Sequence, residues 1–161
     1  MSQTIDELFE DGLNRYQAGE SVDTLIPTFK DLCQRAPKNS ALHTCLSWLY
    51  LLADKPNAAY KAAQKAIKLT PQDPQAHINI AIAILDSDRK GVREHVELAS
   101  QLVMSVEEVQ ADIRQNFKEG LTRKPDWDSL KRVEKWIFDE WTLYQLTLSP
   151  NSVKPKQESH D

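Results

Sequence analysis

Two prolines, Pro37 and Pro71, stand 34 positions apart, and each follows a stretch with the apolar spacing of a helix. This interval constrains the fold more than any other feature of the chain. His43 and His77 are separated by the same 34 positions. Because proline cannot continue a helix, each proline marks a helix end. A period of this length with two helical segments in it predicts a stack of helical hairpins.

The clearest hairpin occupies residues 40–71. Its first helix carries large apolar residues at spacings of three and four, and its second carries alanines at the same spacings. A short turn, residues 53–57, joins the two. Small side chains let helix backbones approach closely, so the pair predicts a tightly packed hairpin. One hairpin cannot bury its apolar faces alone, and the sequence therefore predicts neighbouring hairpins.

The residue types of this hairpin resemble the tetratricopeptide repeat family. The family's large, small, aromatic and proline places are filled in the central repeat by Leu46, Ser47, Tyr50, Ala59, Ala63, Ala66 and Pro71. The N-terminal repeat matches, with one extra residue in its turn, through Gly12, Tyr16, Gly19, Leu25, Phe29, Leu32 and Pro37. The third repeat departs from the pattern in its second half and matches through Pro74, Ile80, Ala81 and Ile84. The resemblance implies an all-α, right-handed helical-hairpin solenoid of about three repeats, near residues 5–38, 39–72 and 73–104.

Two extra C-terminal helices are predicted after the repeats, near residues 106–121 and 126–148. Ser105 and Glu108 have the spacing of a capping box at the start of the first. Gly120 suggests the end of that helix. Their apolar faces need a surface to pack on, so we expect both helices to cap the last repeat.

The last predicted helix has a heavy apolar face with three tryptophans. Its aromatic residues, Trp127, Trp136, Trp141 and Tyr144, are candidates for a cap or for a dimer face. We expect one domain over residues 1–148. Residues 149–161 are polar without periodicity, which predicts a disordered tail.

Bulk properties narrow the class of protein. The net charge of −4 disfavours a mainly electrostatic nucleic-acid binder, so no nucleic-acid partner is expected. The N-terminus lacks the basic and apolar regions of a signal peptide, and no run reaches the roughly 18 apolar residues of a membrane span. Cys33 and Cys45 form no metal motif and suit a reducing compartment. We expect a soluble cytoplasmic protein with no catalytic residues, no metal and no cofactor.

The first helix of each tetratricopeptide repeat lines a concave groove in the family. By the resemblance, this groove would be lined by Phe9, Leu13, Tyr16, Thr44, Trp48, Leu51, Leu52, Ile78, Ile82 and Leu85. Monomers rarely leave a contiguous apolar surface exposed without a use. In one interpretation the groove receives an apolar or amphipathic segment of another protein, anchored by Trp48 and Tyr16. In the other, the chain's own Trp-rich helix fills it.

The leading functional hypothesis is a non-catalytic protein–protein interaction module, working as an adaptor or scaffold. One alternative is an assembly factor or chaperone for a multi-subunit complex, including a membrane-associated one. Another is a structural protein that forms a homodimer through the Trp-rich helix. Family members that clamp the C-terminal carboxylate of heat-shock proteins use Lys, Asn and Arg on the groove helices. The apolar residues at the corresponding places argue against such a clamp here.

Overall fold

The structure, a computed structural model, describes residues 3–140, and of Glu140 only the backbone. The described residues form eight α-helices and one π-helical turn, without a strand. The helices are α1 (Ile5–Gln17), α2 (Val22–Arg35), α3 (Ser40–Leu52), α4 (Pro56–Leu69), α5 (Pro74–Asp86), α6 (Val92–Met104), α7 (Glu107–Arg123) and α8 (Asp128–Lys135), and the π-helical turn is Trp136–Glu140. The predicted all-α class is confirmed.

Side chains at the N-cap positions set where the first helix of each hairpin begins. Before α1, the Thr4 hydroxyl accepts from the Glu7 N–H, and the Glu7 carboxylate accepts from the Thr4 N–H, which is a capping box. Asn39 caps α3 and Asp73 caps α5, each with a side-chain oxygen that accepts from backbone N–H groups of the first turn. Pro74 then occupies the first turn of α5, where its missing N–H costs nothing.

The 34-residue period has its structural basis in a repeated histidine contact. His43 Nε2 donates to the carbonyl oxygen of Pro37 at 2.8 Å, and His77 Nε2 donates to that of Pro71 at 2.7 Å. Each bond ties the start of one hairpin to the end of the hairpin before it. Both rings are buried. Both histidines are therefore structural residues with their own hydrogen-bond acceptors.

Three hairpins, α1–α2, α3–α4 and α5–α6, pack side by side in chain order. The predicted helical-hairpin solenoid is confirmed by this arrangement. One core lies between the first hairpin and α3, around the fully buried Phe29 and Leu42. A second, larger core runs from α3 to the C-terminal helices. We call the side of the solenoid lined by α1, α3 and α5 the concave face.

The junction of α6 and α7 differs from the sequence expectation. The Ser105 hydroxyl donates to the carbonyl oxygen of Leu102 at 2.9 Å, so it serves the last turn of α6. Helix α7 begins at Glu107 without a side-chain cap. The predicted capping box of Ser105 and Glu108 is wrong, because the serine hydroxyl is used by the preceding helix.

Two further helix boundaries differ from those predicted from the sequence. Gly120 does not end α7, which continues through Arg123. Helix α8 is short and passes after Lys135 into the π-helical turn. The rest of the predicted last helix, with Trp141 and Tyr144, lies outside the described residues, as does the predicted tail.

Candidate functional site

Most of the residues predicted to line the groove are covered in the folded chain. The buried ones are Thr44, Trp48, Leu51, Leu52, Ile78 and Ile82. Phe9, Tyr16 and Leu85 are partly buried. Leu13 alone among the ten is exposed, at 41% of its surface. Six of the ten residues are therefore enclosed, and the exposed one, Leu13, lies on α1.

Helix α7 covers the concave face. Gly120 lies against Trp48 so closely that an added Cβ would stand 3.0 Å from the indole ring and 2.7 Å from Leu130 Cδ1. Ile113 and Phe117, on the same side of α7, are buried in the larger core. The glycine is thus needed for the close approach of α7 to α3.

Polar contacts fix α7 to α1 and α5, two of the three helices of the concave face. Asn116 Nδ2 donates to Gln75 Oε1 on α5 at 2.9 Å. Gln17 Nε2 on α1 donates to Glu119 Oε2 at 3.2 Å. At the end of α7, Arg123 donates to the carbonyl oxygen of Tyr16 at 2.8 Å, and its guanidinium lies 4.3 Å from the centre of the Tyr16 ring.

Trp48 is the centre of this arrangement. Its Nε1 donates to the Tyr16 hydroxyl at 2.9 Å, and its ring centre lies 5.5 Å from that of Trp127. Burial raises the pKa of the Tyr16 hydroxyl, and the hydrogen bond from Trp48 partly offsets that rise. Trp48 and Tyr16, predicted as anchors for a partner, here contact each other and the chain's own C-terminal helices.

Two of the four aromatic residues proposed for a cap or dimer face are described. Trp127 and Trp136 are both buried within the chain. Trp127 Nε1 donates to Asp86 Oδ2 at 3.1 Å, and Lys124 Nζ lies 4.3 Å from its ring centre. Neither buried ring offers its face to a second copy in this arrangement.

An opening remains between α1 and α7. It is a half-open cavity of about 130 Å³ between α1, α3, α5 and α7. Its lining consists of Leu13, Tyr16, Gln17, Phe29, Thr44, Cys45, Trp48, Leu49, Gln75, Asn116 and Glu119. The walls are mostly apolar, while the amides and the carboxylate stand at the α7 side.

Solved structures that are similar to nearly the whole chain include the following two. One is the TPR (tetratricopeptide repeat) domain of Sgt2 from Aspergillus fumigatus, with a TM-score of 0.51 and 13% identity over 96% of this chain and 90% of that one. The other is the MamA protein, with a TM-score of 0.55 and 15% identity over 93% of this chain and 100% of that one. The chain has a TPR-like fold. At these identities the likeness concerns the fold alone.

Sequence comparison adds nothing to this assignment. No family model matches the chain, and no curated protein is similar to it. Within residues 3–140, no three His, Cys, Asp or Glu side chains come together as a metal site requires. No helix in that range is both long and apolar enough to cross a membrane.

The sequence did not point to the residues that hold α7 on the concave face. Gln17, Gln75, Asn116 and Glu119 are polar and belong to no repeat pattern, so nothing in the sequence singled them out. One signal was available in Gly120. It interrupts an otherwise ordinary helical stretch, and a small residue at such a place often marks close helix packing.

Cys45 lines the cavity with a partly buried side chain, and its thiol is shielded from water. Burial raises the pKa of Cys45 to about 12, and the Asp73 carboxylate adds to the rise. We expect Cys45 in a Cys33→Ser background to react with a thiol reagent at pH 8 more than about a hundredfold more slowly in the native protein than in urea, because the thiolate is the reactive form. Equal rates in the two conditions would contradict this burial.

His95, which stands alone in the sequence, has a partner in the structure. Its Nδ1 lies 3.0 Å from Nδ1 of His77. Since His77 Nε2 donates to a carbonyl, Nδ1 of the neutral His77 ring accepts, and His95 Nδ1 donates to it. Burial, reinforced by the neighbouring His77, lowers the pKa of His95 below its ordinary value, and Glu94 opposes this only in part.

The contact between His77 and His95 predicts a loss of stability in acid. Because the pKa of His95 is lower in the folded state, the unfolded chain binds the proton more readily, and the free energy of unfolding falls as pH drops below 6.5. The fall ends once pH is below the lowered pKa. Urea unfolding between pH 8 and 5 should show it, with a smaller decrease in His95→Gln. An identical pH profile for the variant and the wild type would contradict the assignment.

Proposed function

We propose that this chain is a non-catalytic protein-interaction module, an adaptor or scaffold, that binds an apolar or amphipathic segment of another protein at the open end of its concave face. The observation that carries the proposal is the exposure of Leu13 beside a half-open apolar cavity. A large apolar side chain at the mouth of such a cavity is the kind of feature that marks binding surfaces.

The position of the chain's own α7 favours a helical segment as the partner. It lies on the same concave face, held by buried apolar residues on one side and by amide hydrogen bonds at the edges. A face that accommodates one amphipathic helix has the shape and chemistry for a second one beside it.

The proposed partner site is smaller than the groove expected from the sequence. It comprises Phe9, Leu13 and Tyr16 on α1 with the cavity side of Thr44 and Trp48. Leu51, Leu52, Ile78 and Ile82 are buried and do not line the cavity, and they therefore serve the core. Leu85 lies at the end of α5 near the C-terminal helices and is not part of the proposed site.

A peptide-display selection on the full chain tests the proposal. Leu13→Gln should weaken binding of the enriched peptides at least about fivefold, since loss of an apolar anchor costs more than about 1 kcal/mol. Leu69→Gln is the matched control, because Leu69 is also 41% exposed but lies on α4. Enrichment of no peptide, or equal loss in both variants, would contradict the proposed site.

A further inference from the structure

We propose that the open end of the concave face takes a cationic amphipathic protein segment, with one apolar side chain in the cavity and flanking lysines or arginines at carboxylates on its rim. This inference rests on the proposed function and adds the charge and the anchoring mode of the partner. It is carried by the size of the cavity and by the charges of the two helices that border it.

The cavity accepts one apolar side chain and little more. Its volume of about 130 Å³ is below the roughly 300 Å³ at which small-molecule pockets begin. An engineered cavity of about 150 Å³ holds a benzene molecule, which is close to the size of a leucine or phenylalanine side chain. Leu13 stands at the mouth, where it would contact the stem of an entering residue.

The α1 side of the rim is acidic. Leu13 and Gln17 line the cavity, and Asp6 and Glu10 continue the same face of α1 toward its N-terminus, at helical spacings of four and three. All four residues are exposed. The helix thus presents two carboxylates in line with the apolar residue at the cavity mouth.

The α7 side of the rim is acidic as well. Asn116 and Glu119 line the cavity, and Asp112, four residues before Asn116, extends that face. The hydrogen bonds that the Glu119 carboxylate accepts come from two neutral amides, those of Gln17 and Gln115. Neither amide neutralises its charge.

The two arginines of α7 contact groups of the chain itself. Arg114 lies 3.9 Å from the ring centre of Phe138, on the far side of the helix. The Arg123 guanidinium lies 4.3 Å from the centre of the Tyr16 ring and donates to the carbonyl oxygens of Tyr16 and Glu20, so its N–H groups are used within the chain. The described residues that line the cavity include no lysine and no arginine.

This combination selects the charge of the partner. A cleft lined by one sign of charge with apolar walls attracts ligands of the opposite sign and repels those of the same sign. Lysine or arginine one turn from an apolar anchor would lie over the two acidic rims. An acidic segment with the same anchor would meet carboxylates on both sides.

Two labelled synthetic peptides test the inference on the full chain. Both are amphipathic helices with the same leucines, and one carries lysine wherever the other carries glutamate. By fluorescence anisotropy at low salt, the lysine peptide should bind at least about tenfold more tightly, and this ratio should shrink at high salt because exposed charges are screened. In the double variant Asp112→Asn, Glu119→Gln, binding of the lysine peptide should weaken about three- to tenfold.

Glu107→Gln is the matched control. Glu107 is also an exposed acidic residue of α7, but helical periodicity places it off the face of Asp112 and Glu119. It should leave the affinity for the lysine peptide unchanged. An equal loss in this control would overturn the site assignment, because net charge alone would then explain the binding.

The outcomes distinguish a failure of this inference from a failure of the proposed function. If both peptides bind equally and Leu13→Gln weakens both, the charge preference is wrong and the interaction site stands. If neither peptide binds, the inference is overturned, and the peptide-display selection then decides whether the site binds any protein segment.

Discussion

Trp48→Ala should lower the free energy of unfolding by about 3–5 kcal/mol, as buried aromatic truncations do. The side chain is 8% exposed, its ring lies 5.5 Å from that of Trp127, and its Nε1 donates to the Tyr16 hydroxyl. Removing it leaves a cavity beneath α7 and a half-buried hydroxyl without its donor. Urea unfolding followed by circular dichroism measures the effect.

Leu13→Ala is the control for this prediction, because Leu13 belongs to the same face but is largely exposed. It should cost less than about 1 kcal/mol, in keeping with surface substitutions. If Trp48→Ala costs no more than Leu13→Ala, Trp48 is not covered by α7 in solution, and the groove is open along its length. The large expected cost also makes Trp48 a poor probe of partner binding, since any loss of binding would follow from unfolding.

Gly120→Ala should destabilise the protein by about 1–3 kcal/mol, the usual cost of overpacking a core. The sign of this change in the free energy of unfolding shows whether Gly120 is packed. In an unpacked helix the same change stabilises by up to about 1 kcal/mol, because alanine is the better helix former. Here the added Cβ would meet Leu130 Cδ1 at 2.7 Å and the Trp48 ring at 3.0 Å. Thermal and urea unfolding both report the sign.

A double-mutant cycle with Leu130→Ala identifies the cause. Leu130 is fully buried, and truncating it removes the atom nearest to the new methyl group. Gly120→Ala should therefore cost less in the Leu130→Ala background than alone, with a coupling energy of about 0.5–3 kcal/mol. Additive costs would mean that α7 does not pack against α8 as described, and a stabilising Gly120→Ala would mean that it does not pack on the concave face.

These two predictions bear on function because they concern what occupies the groove. A partner can bind the covered part of the concave face only if α7 moves away from it. The exposed Leu13 end needs no such rearrangement. The proposed partner site therefore follows from which part of the concave face α7 leaves open.

Much of the fold could be predicted because it depends on local and periodic signals. Pro37 and Pro71 end helices wherever they stand, since proline lacks the N–H that a helix requires. The 34-residue spacing of His43 and His77 is preserved in three dimensions as the same contact to a preceding carbonyl. Alanine and glycine at helix contacts predicted close packing, which holds for the central hairpin.

The candidate site could be predicted only in part. Its face was predicted from the resemblance to tetratricopeptide repeats, in which the first helix of each repeat lines the groove. The failure of the Ser105 capping box shows the limit of such signals. A serine hydroxyl can serve the helix before it or the helix after it, and neighbouring sequence does not distinguish the two.

The sequence by itself determined the all-α class and the succession of helical hairpins, because periodicity and proline act within a few residues, and the resemblance to tetratricopeptide repeats added the expected groove face. Only the tertiary structure decided that α7 covers most of that face and that Leu13 stays exposed. Contacts such as Gln17 with Glu119 join residues 102 positions apart. Such contacts depend on the path of the chain between α6 and α8, and this path carries no local sequence signal.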